Sequence, residues 1–359
     1  MAFTLHVDAE RWRAHLTEVL EQTPGLVPVA KGNGYGFGVS LLGAETARLG
    51  LPALAVGTRF EVSAAREAYD GDVLVLTPWD HRVDPPPEAD DPTIRTVSSI
   101  EALTALAALG MPTRVVVEVE TSMHRHGVPH DHLLEVGPLL TGLRVEGFAI
   151  HLPLAEPRLG RLAETESLIA RLWGAALHVD RLWVSHLSPH ELERVRAEHP
   201  AIEVRPRVGT SLWLGEREAL RATGTVLDVH DLKRGARYGY RQRKMPGAHR
   251  LLVVSGGTAH GVGLEAPKAV HGVIGRGKAA AKGGLEATGR TLSPFHAGGK
   301  QRWFAEPPHM QVSLLLVPDD LEVAIGDELD CDVRYTTTTF DEVTLEAAPR
   351  TAEETSTAS

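Results

Sequence analysis

One lysine is set among glycines near the start of the chain, in Ala30-Lys31-Gly32-Asn33-Gly34-Tyr35-Gly36-Phe37-Gly38. The apolar run LVPVA (26–30) precedes it, so Lys31 falls where a buried strand ends and a loop begins. An amine held there is partly desolvated, which lowers its pKa and suits it to Schiff-base chemistry with a carbonyl. The same pattern also describes a lysine that lays its stem along an apolar surface beside a flexible loop. A glycine pattern of this kind is, alone, weak evidence for phosphate binding. A second feature is a Gly- and Ala-rich stretch at roughly 268–300 that is basic within an acidic chain. It contains Lys268, Arg276, Lys278, Lys282, Arg290 and Lys300. It reads either as a solvated loop or as a contact for an anionic ligand.

Elements that could position Lys31 are written in the hydrophobic pattern. Eight short apolar runs alternate with longer amphipathic stretches: 26–30, 53–57, 73–77, 93–97, 114–120, 145–151, 181–186 and 202–209. Helix-like segments lie between them, such as 41–50, 59–69 and 99–110. Eight buried strands alternating with helices predict parallel βα units and a (β/α)8 barrel, with a doubly wound open sheet as the competing reading. In a barrel the C-terminal strand ends carry the active site, and Lys31 stands at the first of them. After about residue 222 the pattern changes. Strand-like runs at 224–232, 249–255, 310–317, 328–336 and 342–346 follow one another without helices, which predicts a second, mostly β domain. The expected division is a barrel over 1–221, a β domain over 222–348 and a disordered polar tail over 349–359, with a strand at 3–8 that pairs with the second domain.

Composition narrows the class. The 359 residues are 43% hydrophobic and 23% charged, ordinary for a globular chain with a sizeable core. No apolar run approaches the ~20 residues of a membrane span. The opening MAFTLHVDAERW lacks the basic and apolar stretches of a signal peptide, so a cytoplasmic protein is expected. Cys331 is the one cysteine, which rules out an intrachain disulfide and a zinc-cysteine cluster; no metal site is expected. The net charge of −10 argues against nucleic-acid binding.

Several segments, in order, resemble the alanine racemase family. The Lys31 stretch is similar to its cofactor-lysine motif K-A-N-A-Y-G-H-G, and 5–16 to its opening segment. Thr121-Ser122-Met123-His124-Arg125-His126-Gly127-Val128 looks like D-T-G-M-x-R-x-G, and Gly147–His151 like the family's strand ending in histidine. Residues 205–215 resemble R-x-G-x-x-x-Y-G, and 232–240 the second-domain hairpin. The resemblance runs over roughly 5 to 345 and implies the α/β fold, a pyridoxal 5'-phosphate (PLP) cofactor and a homodimer with a shared active site. It further implies that Lys31 forms the Schiff base and acts as one catalytic base, and that Tyr35 contacts the phosphate. Gly209 and Thr210 would offer backbone amides to that phosphate, and His151 would pack against the pyridine ring. Arg207 would donate to the pyridine nitrogen, and Arg125 would lie near the substrate carboxylate. An arginine on that nitrogen keeps it unprotonated and makes the ring a weaker electron sink. Glu118 occupies the place of a carbamylated lysine in many relatives, so a Glu118–Arg125 pair is expected.

Other positions depart from the family pattern. Racemases of this family bring a tyrosine from the partner subunit in G-Y-A-D-G; here Ser255-Gly256-Gly257-Thr258-Ala259-His260-Gly261 puts Thr258 at the tyrosine and His260 at the aspartate. Threonine has no useful acidity, whereas histidine is a common general base, so His260 of the partner subunit is the candidate second base and a turn residue is the plain alternative. Phe340 stands at a phosphate-binding tyrosine. The substrate-carboxylate segment C-M-D-Q reads Pro308-His309-Met310-Gln311, which keeps Met310 alone. The leading expectation is a PLP-dependent amino-acid racemase acting on a small amino acid. Decarboxylation, one-base epimerisation and a PLP-holding homologue without turnover compete with it. A substrate that is an anionic amino-acid conjugate, such as a cell-wall precursor bound through Lys278 and Lys282, is a further alternative. A metal-dependent aldolase is disfavoured, because no His and Cys pair of suitable spacing surrounds Cys331.

Overall fold

The computed structural model describes residues 2–88, 91–245, 247, 249–264 and 291–346. Most of the basic stretch, including Lys268, Arg276, Lys278, Lys282 and Arg290, lies outside the described residues, as does the tail. The chain divides into two units: residues 13–34 and 38–215 form one, and residues 1–12, 35–37 and 216–359 form the other.

The chain opens with β1 (Phe3–Asp8) and α1 (Ala9–Gln22). Asp8 Oδ1 accepts the Arg11 N–H at 3.0 Å, which caps the first turn of α1. Eight parallel strands then close a barrel: β2 (Val27–Ala30), β3 (Ala53–Val56), β4 (Asp72–Val75), β5 (Ile94–Val97), β6 (Arg114–Val119), β7 (Arg144–His151), β8 (Arg181–Ser185) and β9 (Glu203–Val208). The ring is completed by β2 against β9, with Val27 opposite Arg207 and Pro28 opposite Val208. The open-sheet alternative is thereby excluded. Helices α2 (Val39–Arg48), α3 (Val62–Arg66), α4 (Ile100–Ala108), α5 (Leu133–Leu139), α6 (Arg161–Gly174), α7 (Pro189–Glu198) and the single turn α8 (Thr210–Trp213) follow the strands. The β4–β5 connection has no helix among the described residues. It carries Pro78, Pro85, Pro86, Pro87 and Pro92, which remove backbone donors and break helical geometry. Helix α7 begins with a capping box: Ser188 Oγ accepts the Glu191 N–H at 3.3 Å, and Glu191 accepts the Ser188 N–H at 2.7 Å.

Strand side chains alternate between the two faces of the barrel wall. Val27, Val29, Ala53, Ala55, Leu74, Ile94, Val116, Ala149 and Trp183 fill the interior. The alternate residues, including Val115, Val117, Val119, Ile150 and Val184, join the larger outer core with the helices.

The other unit is built on one sheet in the order β14-β15-β16-β13-β10-β1-β18, with β17 paired to β10. Its strands are β10 (Leu220–Leu232), β13 (His249–Ser255), β14 (Leu292–Ala297), β15 (Lys300–Phe304), β16 (Val312–Pro318), β17 (Glu328–Asp330) and β18 (Glu342–Glu346), with the small hairpin β11 (Arg237–Tyr238) and β12 (Arg243–Lys244) beside them. β1 lies between β10 and β18, antiparallel to the first and parallel to the second. The basic stretch is not loop throughout: 292–297 is β14, and Lys300 opens β15. β14 escapes a pattern reading because it is an edge strand with an internal proline, Pro294, and a register shift.

Candidate active site

Barrel geometry alone gathers four of the expected residues. Lys31 lies two residues after Val29, Glu118 two after Val116, and His151 two after Ala149. Arg207 is in register with Val27. All four therefore share the inward parity of the interior core and stand at or just beyond the C-terminal strand ends.

Glu61 holds the Lys31 backbone. Its carboxylate accepts the Gly32 N–H at 3.1 Å and the Gly57 N–H at 2.6 Å, which bridges the ends of β2 and β3. Gly57 has no room for a side chain, since a Cβ there would lie 3.0 Å from both the Lys31 Cβ and Glu61. Beyond Lys31 the chain turns through Gly32, Gly34, Gly36 and Gly38, all at positive φ. The glycine spacing is thus explained by backbone conformation. Tyr35, also at positive φ, is buried.

Arg207 is buried in the barrel. One terminal nitrogen donates to the Ile150 carbonyl at 3.0 Å, while its Nε is buried with no hydrogen-bond partner. Burial pushes its pKa down to about 10, opposed by Glu118, so it stays charged at neutral pH. His151 is lowered to about 3 by burial first, then by Arg207 and Arg125, and its ring is neutral. Lys31 opens to solvent, yet partial desolvation lowers its pKa, reinforced by Arg125 and Arg207 and opposed by Glu61. The cluster is therefore electropositive, and Glu118 is the carboxylate set into it.

Arg125 rides on a closed loop. The Glu120 N–H donates to Val128 O at 3.1 Å, and the Val128 N–H to Glu118 O at 2.8 Å. Thr121 Oγ1 donates to the His151 carbonyl at 2.8 Å and ties that loop to β7. The expected Glu118–Arg125 pair does not form: no ion pair within 4.0 Å joins them among the described residues. Glu118 is buried on β6, whereas Arg125 is exposed on the loop. Burial raises the Glu118 pKa, and Arg207 offsets this more than Arg125 does. Gly209 and Thr210 lie at the start of α8, and Trp213 Nε1 anchors that turn to the Val29 carbonyl at 2.9 Å.

Two contributors escaped the sequence reading. His186, just after β8, packs edge-on against His151 with ring centroids 5.1 Å apart. Burial and then Arg207 lower its pKa. Its position one residue past a barrel strand was the available signal. Glu61 carried none, because it lies in a helical stretch.

In the β-rich unit, Thr258, Met310 and His260 come together through backbone pairing. The Thr258 N–H donates to His309 O at 2.8 Å, and the Ala259 N–H to Met310 O at 3.0 Å. The Met310 side chain is exposed. His260 does not present a free ring nitrogen. Nδ1 accepts the Gly257 N–H at 3.1 Å, Nε2 bonds Asp341 Oδ1 at 3.1 Å, and the ring is buried against Phe3. Within one chain both nitrogens are thus engaged, one by the turn and one by Asp341, and the second base at His260 of the partner subunit stays an expectation. Phe340 stacks on Phe3, centroids 5.2 Å apart, which gives it a packing role.

The closed eight-stranded parallel barrel and the mostly β unit match the fold of solved alanine racemases. The alanine racemase of the D-cycloserine producer Streptomyces lavendulae superposes with a TM-score of 0.66 at 18% identity, over 96% of this chain and 97% of that one. The Bacillus anthracis alanine racemase with bound L-Ala-P gives 0.66 at 17% identity, over 92% and 84%. The Bartonella henselae alanine racemase with covalently bound pyridoxal phosphate gives 0.65 at 15%, over 93% and 91%. Residues 7–206 match the sequence model of the alanine racemase N-terminal domain, and the chain belongs to that family. An amino-acid racemase of Enterococcus faecalis is 28% identical over 143 residues, 38% of this chain. The matched chain spans about a fifth of that relative's length. No described helix is long and apolar enough to cross a membrane.

Proposed function

We propose that the chain is a PLP-dependent enzyme of the amino-acid racemase type, acting at the α-carbon of an amino acid. One observation carries this reading most directly: Arg207 Nε is a buried donor without a partner, inside a barrel mouth that also holds Lys31. A buried unpaired donor calls for an acceptor. The pyridine nitrogen of PLP is an uncharged acceptor of that kind, and the cluster of cations suits its phosphate, so the residues present fit the cofactor. Lys31 would anchor it, with Tyr35, Gly209 and Thr210 toward the phosphate. Bound there, PLP supplies an electrophilic carbon for amines and a ring that takes up the electron pair left by a departing α-proton.

The chain's own residues do the rest. The lowered pKa of Lys31 favours its Nζ as a base, able to take a proton and return it. Arg207 donates without surrendering its proton, which limits how much charge the ring withdraws. His151 is neutral and offers a ring face without repelling cationic neighbours. Arg125, on its exposed loop, is placed to take a substrate carboxylate. Reduction with borohydride after adding PLP, followed by peptide mass analysis, tests the anchor. The cofactor mass is expected on the peptide containing Lys31, and labelling elsewhere, or none, would overturn the assignment.

A second reading keeps the cofactor but changes or loses racemisation. It is favoured by His260, whose ring nitrogens are both engaged, and by Thr258, which cannot act as an acid. A homodimer with a shared site belongs to the first reading, since a base on the opposite face must come from elsewhere.

A further inference from the structure

We propose that the β-rich unit carries a second binding site, for a small phosphorylated ligand with a planar ring, of nucleotide type. The site is a cavity of about 730 Å³ between the β11–β12 hairpin and the β15–β16 strands. It shares no residue with the Lys31 site.

Its charge is one-sided. Arg243 and Lys244 line it from β12, and Lys300 and Arg302 from β15. No Asp or Glu is among the described residues lining it, in a chain whose net charge is −10. An ordinary solvated face intersperses the two signs, whereas this cavity excludes one. Cations converging on a concave wall raise the local concentration of anions and favour phosphate oxygens.

Two further observations give the ligand its shape. Trp303 lines the cavity with 38% of its surface exposed, and Tyr238 and Phe304 form a buried aromatic wall beside it. A large ring left open beside cations is a stacking surface for a planar group. His249 also lines the cavity, and its Nδ1 is buried with no hydrogen-bond partner. A ligand hydroxyl or phosphate oxygen would satisfy it. The volume falls within the range of roughly 300–1,000 Å³ usual for small-molecule sites.

The test is calorimetric titration of the full-length, PLP-saturated protein with ADP, inorganic pyrophosphate and adenosine. Saturable binding in the order ADP, then pyrophosphate, then adenosine is expected, and it should weaken as salt is raised. Lys244→Ala combined with Lys300→Ala, both on exposed residues, should weaken ADP and pyrophosphate by about tenfold or more. Trp303→Leu should weaken ADP by about tenfold and pyrophosphate by less than about twofold. Melting temperatures confirm that the variants fold. The absence of saturable ADP binding would overturn the site. So would an affinity unchanged in the lysine double variant. Adenosine binding as tightly as ADP, or Trp303→Leu leaving ADP unaffected, would overturn the assigned ligand class.

Discussion

At the scale of single residues, the proposed chemistry rests on Lys31, open to solvent at a strand end, and Arg207, buried in the barrel. Desolvation first, then Arg125 and Arg207, hold Lys31 below its ordinary value, so the base and its surroundings are one arrangement. His151 reports that environment through acid stability. It is neutral in the fold down to about pH 3, whereas the unfolded chain protonates it below about 6.5. Between those values the unfolded state binds more protons, so stability rises with pH and is lost as pH falls through the window. His151→Gln, which cannot charge, should flatten this acid limb in urea unfolding measured from pH 3 to 7. An unchanged slope would contradict the buried, neutral ring. Lys31 and Arg207 were legible from the sequence because strand periodicity and motif order put both at barrel strand ends. Glu118 was placed correctly on its strand, but its pairing was not legible, because the exposure of the Arg125 loop is a tertiary property. The bonding of His260 was not legible, because a titratable ring in a turn carries no sign of whether its nitrogens are already bonded.

Secondary-structure elements convert these residues into a site through close approaches. The loop carrying Arg125 is closed by Gly127, at φ +122°, where a Cβ would lie 2.2 Å from the Glu120 nitrogen. Gly127→Ala should therefore open the loop, with a stability loss of about 2 kcal/mol or more. Its kinetic signature should be a raised KM for the amino-acid carboxylate, larger than the change caused by Ala at the exposed Met123. Equal KM values would detach that loop from substrate binding. All eight barrel strands were legible because each is a short Val-, Ile- or Leu-rich run bounded by loop residues. No helix stands between β4 and β5 among the described residues, where five prolines interrupt the strand–helix alternation. β14 and β15 were missed for a related reason: LSPFHA and KQRWF lack both the β-branched content and the alternation that mark a strand.

The molecule as a whole joins a retained barrel to an altered β unit. The barrel is anchored by its interior, where Trp183 is fully buried, donates through Nε1 to the Glu146 carbonyl at 2.7 Å and lies under the Arg205 guanidinium. Trp183→Ala should cost about 3–5 kcal/mol, seen as a lowered denaturation midpoint, and a loss below about 1 kcal/mol would mean the interior repacks freely. In the β unit, Thr258, His260 and Phe340 depart from the groups that the sequence resemblance leads one to expect, and the rings of the latter two pack against Phe3. Lys31 is therefore the proposed proton-transferring base. The most direct test is α-deuterium incorporation and chirality, followed together in heavy water with PLP and a panel of L- and D-amino acids. Uptake that is lost in Lys31→Ala and persists in folded His260→Ala is the predicted result. Uptake that survives Lys31→Ala, or inversion that disappears in a folded His260→Ala variant, would contradict it.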